Sequence, residues 1–279
     1  MVLFPPAKIN LGLHVLGKRD DGYHALESIF LPLGWTDILE VLMDDSAAPG
    51  ELHTVWTGLD IPGDPANNLV VKAHRLLAAE HELPGLSAHL HKVLPMGGGL
   101  GGGSADGTYM LRALNEICGL GLSREKLMQL AAKLGSDCPF FVDAQPALVT
   151  GRGEHVTPLS FRLPLDGLWV VVANPSIHIS TAEAFGGLTP HDRSTDWSAL
   201  ANEPSSAWGN RIQNDFEPGA CARHPQVAAH LDALGKAGAA YVQMTGSGST
   251  VFGIFTSESE ARTSAVDIQA DYCGPLAGA

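Results

Sequence analysis

Six of the seven residues from Gly97 to Gly103 are glycine, in the stretch Pro95-Met96-Gly-Gly-Gly-Leu100-Gly-Gly-Gly-Ser104. Each glycine loses more backbone freedom on folding than any other residue, so such a run costs stability. It is expected where another group must come within van der Waals reach of bare main chain. The flanks say which group. Ser87 to Leu94 alternates as a strand does. After Ser104 the apolar residues Met110, Leu111, Leu114 and Ile117 keep a helical spacing that stops at Gly119. Strand, glycine loop and helix N-terminus gather several unpaired N–H groups and about half a positive charge at one point. That combination is a phosphate cradle.

Two known glycine loops compete for this segment. The P-loop, G-x-x-x-x-G-K-[ST], requires a lysine where this chain has Gly103, and without that cation the reading fails. The dinucleotide fingerprint G-x-G-x-x-G fits Gly97, Gly99 and Gly102, but among so many glycines the match is nearly automatic. It also calls for an acidic residue about 20 positions on, and Leu120 to Ser123 has none. A flexible glycine-serine linker would not sit tightly between a strand and a helix.

A length of 279 residues suits one large or two ordinary domains, and 45% hydrophobic with 17% charged residues is a soluble globular composition. A net charge of −13 argues against nucleic acid or an anionic membrane as partner. Any anionic small-molecule substrate must then be held by local dipoles and a few placed cations. No apolar run approaches the ~20 residues of a membrane span. The N-terminus lacks a basic region before an apolar one, so no signal peptide is expected. Cys118, Cys138, Cys221 and Cys273 lack metal or disulfide spacing and read as thiols of a reducing cytoplasm.

Short alternation marks strands at Ile9 to Leu16, Ile29 to Leu33, Asp37 to Met43 and Glu51 to Thr57. A helix is expected over Leu69 to Glu80, with Asn67 and Asn68 as cap candidates. Ser123 caps a helix from Arg124 to Leu134, which Gly135 ends. Leu168 to Ala173 reads as a buried strand. Ser180 to Glu183 makes a capping box, and Pro225 opens a helix running to Leu234. Tyr241 to Met244 and Thr250 to Phe255 are strands, and Ser257 to Glu260 caps a last helix. The fold class is α+β, with a mixed N-terminal domain (1–155) and a C-terminal domain (156–279) of antiparallel sheet with helices on one face.

Three stretches stand in order: Pro6-Ala7-Lys8-Ile9-Asn10-Leu11 leading into Asp21-Gly22-Tyr23-His24; Pro95 to Ala105 followed by Gly135-Ser136-Asp137-Cys138-Pro139-Phe140; and Thr245-Gly246-Ser247-Gly248-Ser249-Thr250. Together they resemble the GHMP kinase superfamily, with its N-terminal motif, glycine-rich ATP loop and C-terminal glycine motif. The first stretch is similar to members acting on a cytidine-diphosphate-linked polyol. The resemblance implies a two-domain kinase that phosphorylates the 2-hydroxyl of a methylerythritol moiety in isoprenoid precursor synthesis. Gly107 stands where alanine is usual, a loss of about 1 kcal/mol of helix propensity, and Cys138 stands where valine is usual.

The roles that follow are implied by the resemblance. Asp137 accepts the proton of the substrate hydroxyl, with Lys8 beside it; read alone, Asp137 is the punctuation of a Gly-Ser-Asp turn. Pro95, Met96, Gly97, Gly98, Gly99, Leu100, Gly101, Gly102, Gly103, Ser104 and Ala105 wrap the triphosphate of ATP. Ser104 either caps the helix or touches Mg²⁺, the expected divalent ion. Asn68 and Leu69 line the adenine pocket, although an N-cap explains Asn68 equally well. Tyr23 and His24 hold the cytidine, with Asn10 nearby and Phe185, after Thr181, as a second stacking face. Gly246, Ser247 and Gly248 form either a second anion nest or an ordinary hairpin turn.

Overall fold

A strand buried along its length must be covered on both faces, and the N-terminal segment is of that kind: every residue from Pro6 to Val15 is buried, with Ile9, Leu11, Leu13 and Val15 alternating with Lys8, Asn10 and His14. In the computed structural model, residues 1–276 are described apart from Asp21, Gly187, Thr189, His191 and Asp192, so the first residue of the Asp-Gly-Tyr-His motif lies outside the described residues. The strands in chain order are β1 (Val2–Leu3), β2 (Pro6–Lys18), β3 (His24–Thr36), β4 (Ile38–Met43), β5 (Leu52–Gly58), β6 (Leu86–Lys92), β7 (Ala147–Gly151), β8 (His155–Pro158), β9 (Trp169–Ala173), β10 (Tyr241–Met244), β11 (Val251–Phe255) and β12 (Tyr272–Pro275). The helices are α1 (Leu69–Ala78), α2 (Gly102–Ile117), α3 (Arg124–Leu134), α4 (Phe140–Asp143), α5 (Thr181–Phe185), α6 (Glu217–Arg223), α7 (Pro225–Lys236) and α8 (Glu258–Asp267).

These elements form two compact units. The first comprises residues 1–7, 36–96 and 101–144. Its sheet has the order β1-β4-β6-β5, antiparallel except for the parallel β5–β6 pair. One sheet face is buried: Leu39, Val41, Leu86, Ala88 and Leu90 pack with Val70, Leu77, Met110, Leu114 and Leu130 of the helices. The second unit comprises residues 8–35, 97–100 and 145–279. It holds a sheet of order β2-β3-β7-β8 and another of order β10-β11-β9-β12. Leu13 and Val15 of β2 share a core with Val171, Phe216, Met244 and Phe255.

The units interleave along the chain, so a division at residue 155 orders the motifs but does not separate the units. The physical reason is pairing: β3 is hydrogen-bonded to β7 from Leu26–Gly151 to Phe30–Ala147, which draws residues 8–35 away from the strands that follow them. Caps fall where the sequence places them. Asn68, Ser123, Ser180 and Ser257 each accept a backbone N–H at the start of α1, α3, α5 and α8. Among the described residues no helix is long and apolar enough to cross a membrane.

Candidate active site

The glycine loop begins as an alternation of backbone conformations. Gly97, Gly99 and Gly101 have φ of 74°, 82° and 73°, the left-handed region that side chains disfavour. Gly101 is the N-cap of α2, which therefore starts inside the glycine run at Gly102. Ser104 is thus a first-turn residue and not the helix cap. Its carbonyl accepts the Thr108 hydroxyl at 2.9 Å.

The group that approaches the bare main chain at Gly98 and Gly99 is the chain's own C-terminal loop. A Cβ on Gly98 would stand 2.3 Å from Thr250 Oγ1, and one on Gly99 would stand 2.2 Å from the carbonyl oxygen of Thr245. Gly102 is closed by Lys92 Nζ and Leu94 in the same way. At Gly103 a Cβ would meet nothing within 4 Å. Met96 is 44% exposed just ahead of the loop.

Lys8 sits on β2 and is only 2% exposed. Its N–H donates to the Leu100 carbonyl at 2.8 Å, tying the strand to the glycine loop. Its Nζ donates to Asn10 Oδ1 at 2.8 Å and lies 4.4 Å from the Phe30 ring centroid. Asn10 is committed to holding structure. Its Oδ1 also accepts from Thr245 Oγ1 (3.0 Å) and Gly246 N–H (2.9 Å), while its Nδ2 donates to Ser28 Oγ at 3.0 Å.

The C-terminal glycine loop is held partly by this network. The Gly246 N–H is taken by Asn10, and the Gly248 N–H donates to the Thr245 carbonyl at 3.1 Å. Two of the three amides expected to hold an anion are spent within the protein, leaving Ser247, which is half-buried. The loop joins the antiparallel strands β10 and β11, with the Thr245 N–H donating to the Thr250 carbonyl at 2.9 Å.

Asp137 is half-buried on the turn between α3 and α4. Its neighbour Cys138 is tied to α2, because the Thr108 hydroxyl also donates to the Cys138 carbonyl at 2.9 Å. Burial pushes the Cys138 thiol up to about 12, so it is a small packed group and no nucleophile. On the far side of α2, Asn68 caps α1 by accepting the Val70 N–H at 2.9 Å. Leu69 packs so closely on α2 that a Cβ on Gly107 would stand 2.7 Å from the Leu69 Cβ. Gly107 therefore spaces two helices, which the propensity argument does not see.

The aromatic residues divide. The His24 and Phe185 rings stack with centroids 4.5 Å apart and planes 19° apart, leaving no room for a base between them. Phe185 also meets the edge of Phe216 at 4.9 Å. Phe185 is thus packed between the ring of His24 and the edge of Phe216. Tyr23 is 56% exposed at the turn between β2 and β3, with the Arg152 guanidinium 4.7 Å from its ring centroid. Thr181 is an exposed first-turn residue of α5.

The family model for the GHMP kinase N-terminal domain matches residues 68–145, and that for the GHMP kinase C-terminal domain matches residues 193–271. The chain is 42% identical over 274 residues to a 4-diphosphocytidyl-2-C-methyl-D-erythritol kinase of Bacteroides fragilis, covering 98% of each. The chain belongs to the GHMP kinases. It is also similar to a crystal structure of 4-(cytidine 5'-diphospho)-2C-methyl-D-erythritol kinase, with a TM-score of 0.84 and 30% identity over 100% of both chains. A homoserine kinase from Cytophaga hutchinsonii shares the fold, with a TM-score of 0.70, 18% identity and coverage of 99% and 94%.

As a GHMP kinase the chain is a small-molecule phosphotransferase of two-domain α+β fold, and ATP is the family's phosphoryl donor. This kinase carries a buried ion cluster that the sequence reading missed. Lys92 Nζ lies 2.5 Å from Asp37 Oδ2 and 2.8 Å from Asp106 Oδ2, all three being nearly fully buried. Asp37 Oδ1 also accepts the N–H groups of Val93 (2.6 Å) and Leu94 (2.8 Å), so Asp37 is the better-held carboxylate. Burial pushes Asp106 up to about 7 and leaves its Oδ1 without a hydrogen-bond partner among the described residues. The signal was present: alternation along β6 puts Lys92 on the buried face with Leu86, Ala88 and Leu90, and a buried lysine demands carboxylates. A cavity of about 650 Å³, bordered by Arg193, Phe216, Glu217, Arg223 and Tyr241, is lined by none of the expected site residues.

Proposed function

We propose that this kinase transfers the γ-phosphoryl group of ATP to the 2-hydroxyl of 4-diphosphocytidyl-2-C-methyl-D-erythritol. The observation that carries the reading is the 42% identity, over 98% of both chains, to a protein of that name. The alcohol oxygen bonds to the γ-phosphorus, the bond to the β,γ-bridging oxygen breaks, and ADP leaves.

Phosphoryl transfer asks a protein mainly for positioning and charge stabilisation. The triphosphate lies against the amides at the start of α2, where a Cβ on Gly103 would meet nothing within 4 Å among the described residues. Leu69 and the residue it follows, Asn68, border the adenine. Mg²⁺ bound with ATP would offset charge on the phosphate oxygens. Ser104 offers it a hydroxyl, whereas Asp106 is committed to Lys92. Among the described residues no group of three or more His, Cys, Asp or Glu gathers as a metal site.

Asp137 orients the hydroxyl and takes its proton late. A carboxylate near pKa 3.9 cannot deprotonate an alcohol whose pKa is about that of water, ~15.7, before the oxygen has begun to bond to phosphorus. Lys8, held by Asn10, offsets charge on the transferring oxygens. Tyr23, exposed at its turn, stacks on the cytosine, and His24 presents a polar edge. A soluble, cytoplasmic enzyme working without nucleic acid or membrane fits the net charge of −13.

The test is ADP release with this substrate, mevalonate and homoserine in parallel. Turnover is expected with the cytidine compound alone, and Asp137→Asn is expected to lower kcat by about 10²–10⁴. Turnover of mevalonate or homoserine at a similar rate would overturn the substrate assignment. An unchanged kcat in the variant would remove Asp137 from the mechanism.

A further inference from the structure

A glycine-rich loop has little conformational preference of its own, so its geometry must be imposed from outside. In Thr245-Gly-Ser-Gly-Ser249 the outside group is Asn214, which is 2% exposed. Its Nδ2 donates to the carbonyls of Met244 (2.7 Å) and Gly246 (2.9 Å), the two residues that bracket Thr245. Its Oδ1 accepts the Phe216 N–H at 3.0 Å, so both ends of the amide are engaged.

Asn214 is itself anchored to the strand that carries Lys8. Leu13 N–H donates to the Gln213 carbonyl and Asp215 N–H to the Leu13 carbonyl, each at 2.9 Å, which makes a parallel bridge between Leu13 and Asn214. Beyond the loop the relay continues. Gly246, held at φ 58°, donates to Asn10 Oδ1, the same oxygen that accepts Lys8 Nζ. Thr245 Oγ1 donates to that oxygen and reaches the Gly99 carbonyl at 3.3 Å.

We infer that Asn214 is a positioning residue for phosphoryl transfer: it clamps the two carbonyls around Thr245, which fixes Gly246 against Asn10 and so aims the Lys8 ammonium. The inference rests on Lys8 acting in the reaction. Its physical basis is that a catalytic group displaced by about 1 Å loses on the order of 10² in rate. Without the clamp, two buried carbonyls are left without donors and the loop is free to relax away from Asn10.

The test uses Asn214→Asp, which keeps the size and the acceptor but cannot donate, and Asn214→Ser, which cannot span both carbonyls. Rates are expressed per nucleotide-binding site counted by calorimetry, so unfolded chain does not enter. Both variants are expected to lose at least tenfold in kcat with each KM within threefold. On a Lys8→Ala background they are expected to cost less than twofold further, because Asn214 acts through Lys8. A kcat within threefold of the parent, or a loss that simply adds to that of Lys8→Ala, overturns the inference while leaving Lys8 in place. An unchanged kcat in Lys8→Ala alone overturns the underlying reading instead. In the unmutated protein the Asn214 side-chain amide protons are expected to be protected from solvent exchange, and fast exchange overturns the clamp whichever variants fold.

Discussion

Lys92 has one positive charge and two carboxylates within 3 Å, and only one of them can be neutralised by it. Asp37 also accepts two backbone N–H groups, so it is the better held of the two. Burial, with the neighbouring Asp37 carboxylate, outweighs the bond from Lys92 and raises Asp106 to about 7. The sign follows from linkage. The folded protein keeps a proton that the unfolded chain has released above about pH 4, so stability falls as pH rises towards 7, by at most ~1.4 kcal/mol per unit. Asp106→Asn removes that slope. Urea unfolding at pH 5 and pH 7 is expected to show the parent losing about 2 kcal/mol relative to the variant, and parallel profiles would contradict the assignment. Tyr23 gives a second residue-scale prediction. The residue is 56% exposed at its turn, so Tyr23→Ala is expected to raise KM for the cytidine substrate about tenfold, as loss of a stacked base would. A change confined to ATP affinity would place Tyr23 in the wrong pocket.

Among the elements, Gly107 shows how packing overrides propensity. Alanine in a helix interior is worth about 1 kcal/mol over glycine, which alone makes Gly107→Ala stabilising. The Leu69 Cβ, 2.7 Å from where the new methyl would sit, is fixed to the α1 backbone and cannot swing aside. Gly107→Ala is therefore expected to lower stability by about 1–3 kcal/mol, measured by denaturant titration. A rise in stability would mean that α1 moves freely against α2. The same contrast sets what was legible in the sequence. Caps at Ser123, Ser180 and Ser257 are local hydrogen bonds, and local patterns report them. Strand β12 carries Gly274 and Pro275 in four residues and exists because β9 pairs with it. The glycine run announced itself, but the group pressing on Gly98 and Gly99 is a loop some 150 residues away in sequence. Lys8 and Asn10 were legible as a motif; Asn214 was not, since no spacing signals a side chain that serves two distant carbonyls.

At the scale of the whole molecule, a chain of net charge −13 handles two anionic substrates, so long-range attraction does not bring them in. In the proposed function short-range groups do so: amides at the start of a 16-residue helix, and a lysine sunk in a strand and held by an asparagine. The two matched family domains and the near-full-length identity make the chain a small-molecule kinase. The central claim is the atom that receives the phosphoryl group. Carbon 2 of the methylerythritol moiety bears a methyl group and no hydrogen, so a phosphate there has no proton three bonds away. Proton-coupled phosphorus NMR of a reaction with ATP and 4-diphosphocytidyl-2-C-methyl-D-erythritol is predicted to show a new, unsplit phosphomonoester signal growing with ADP. A new signal split by neighbouring protons, or ADP formed with no new phosphomonoester, would contradict the account.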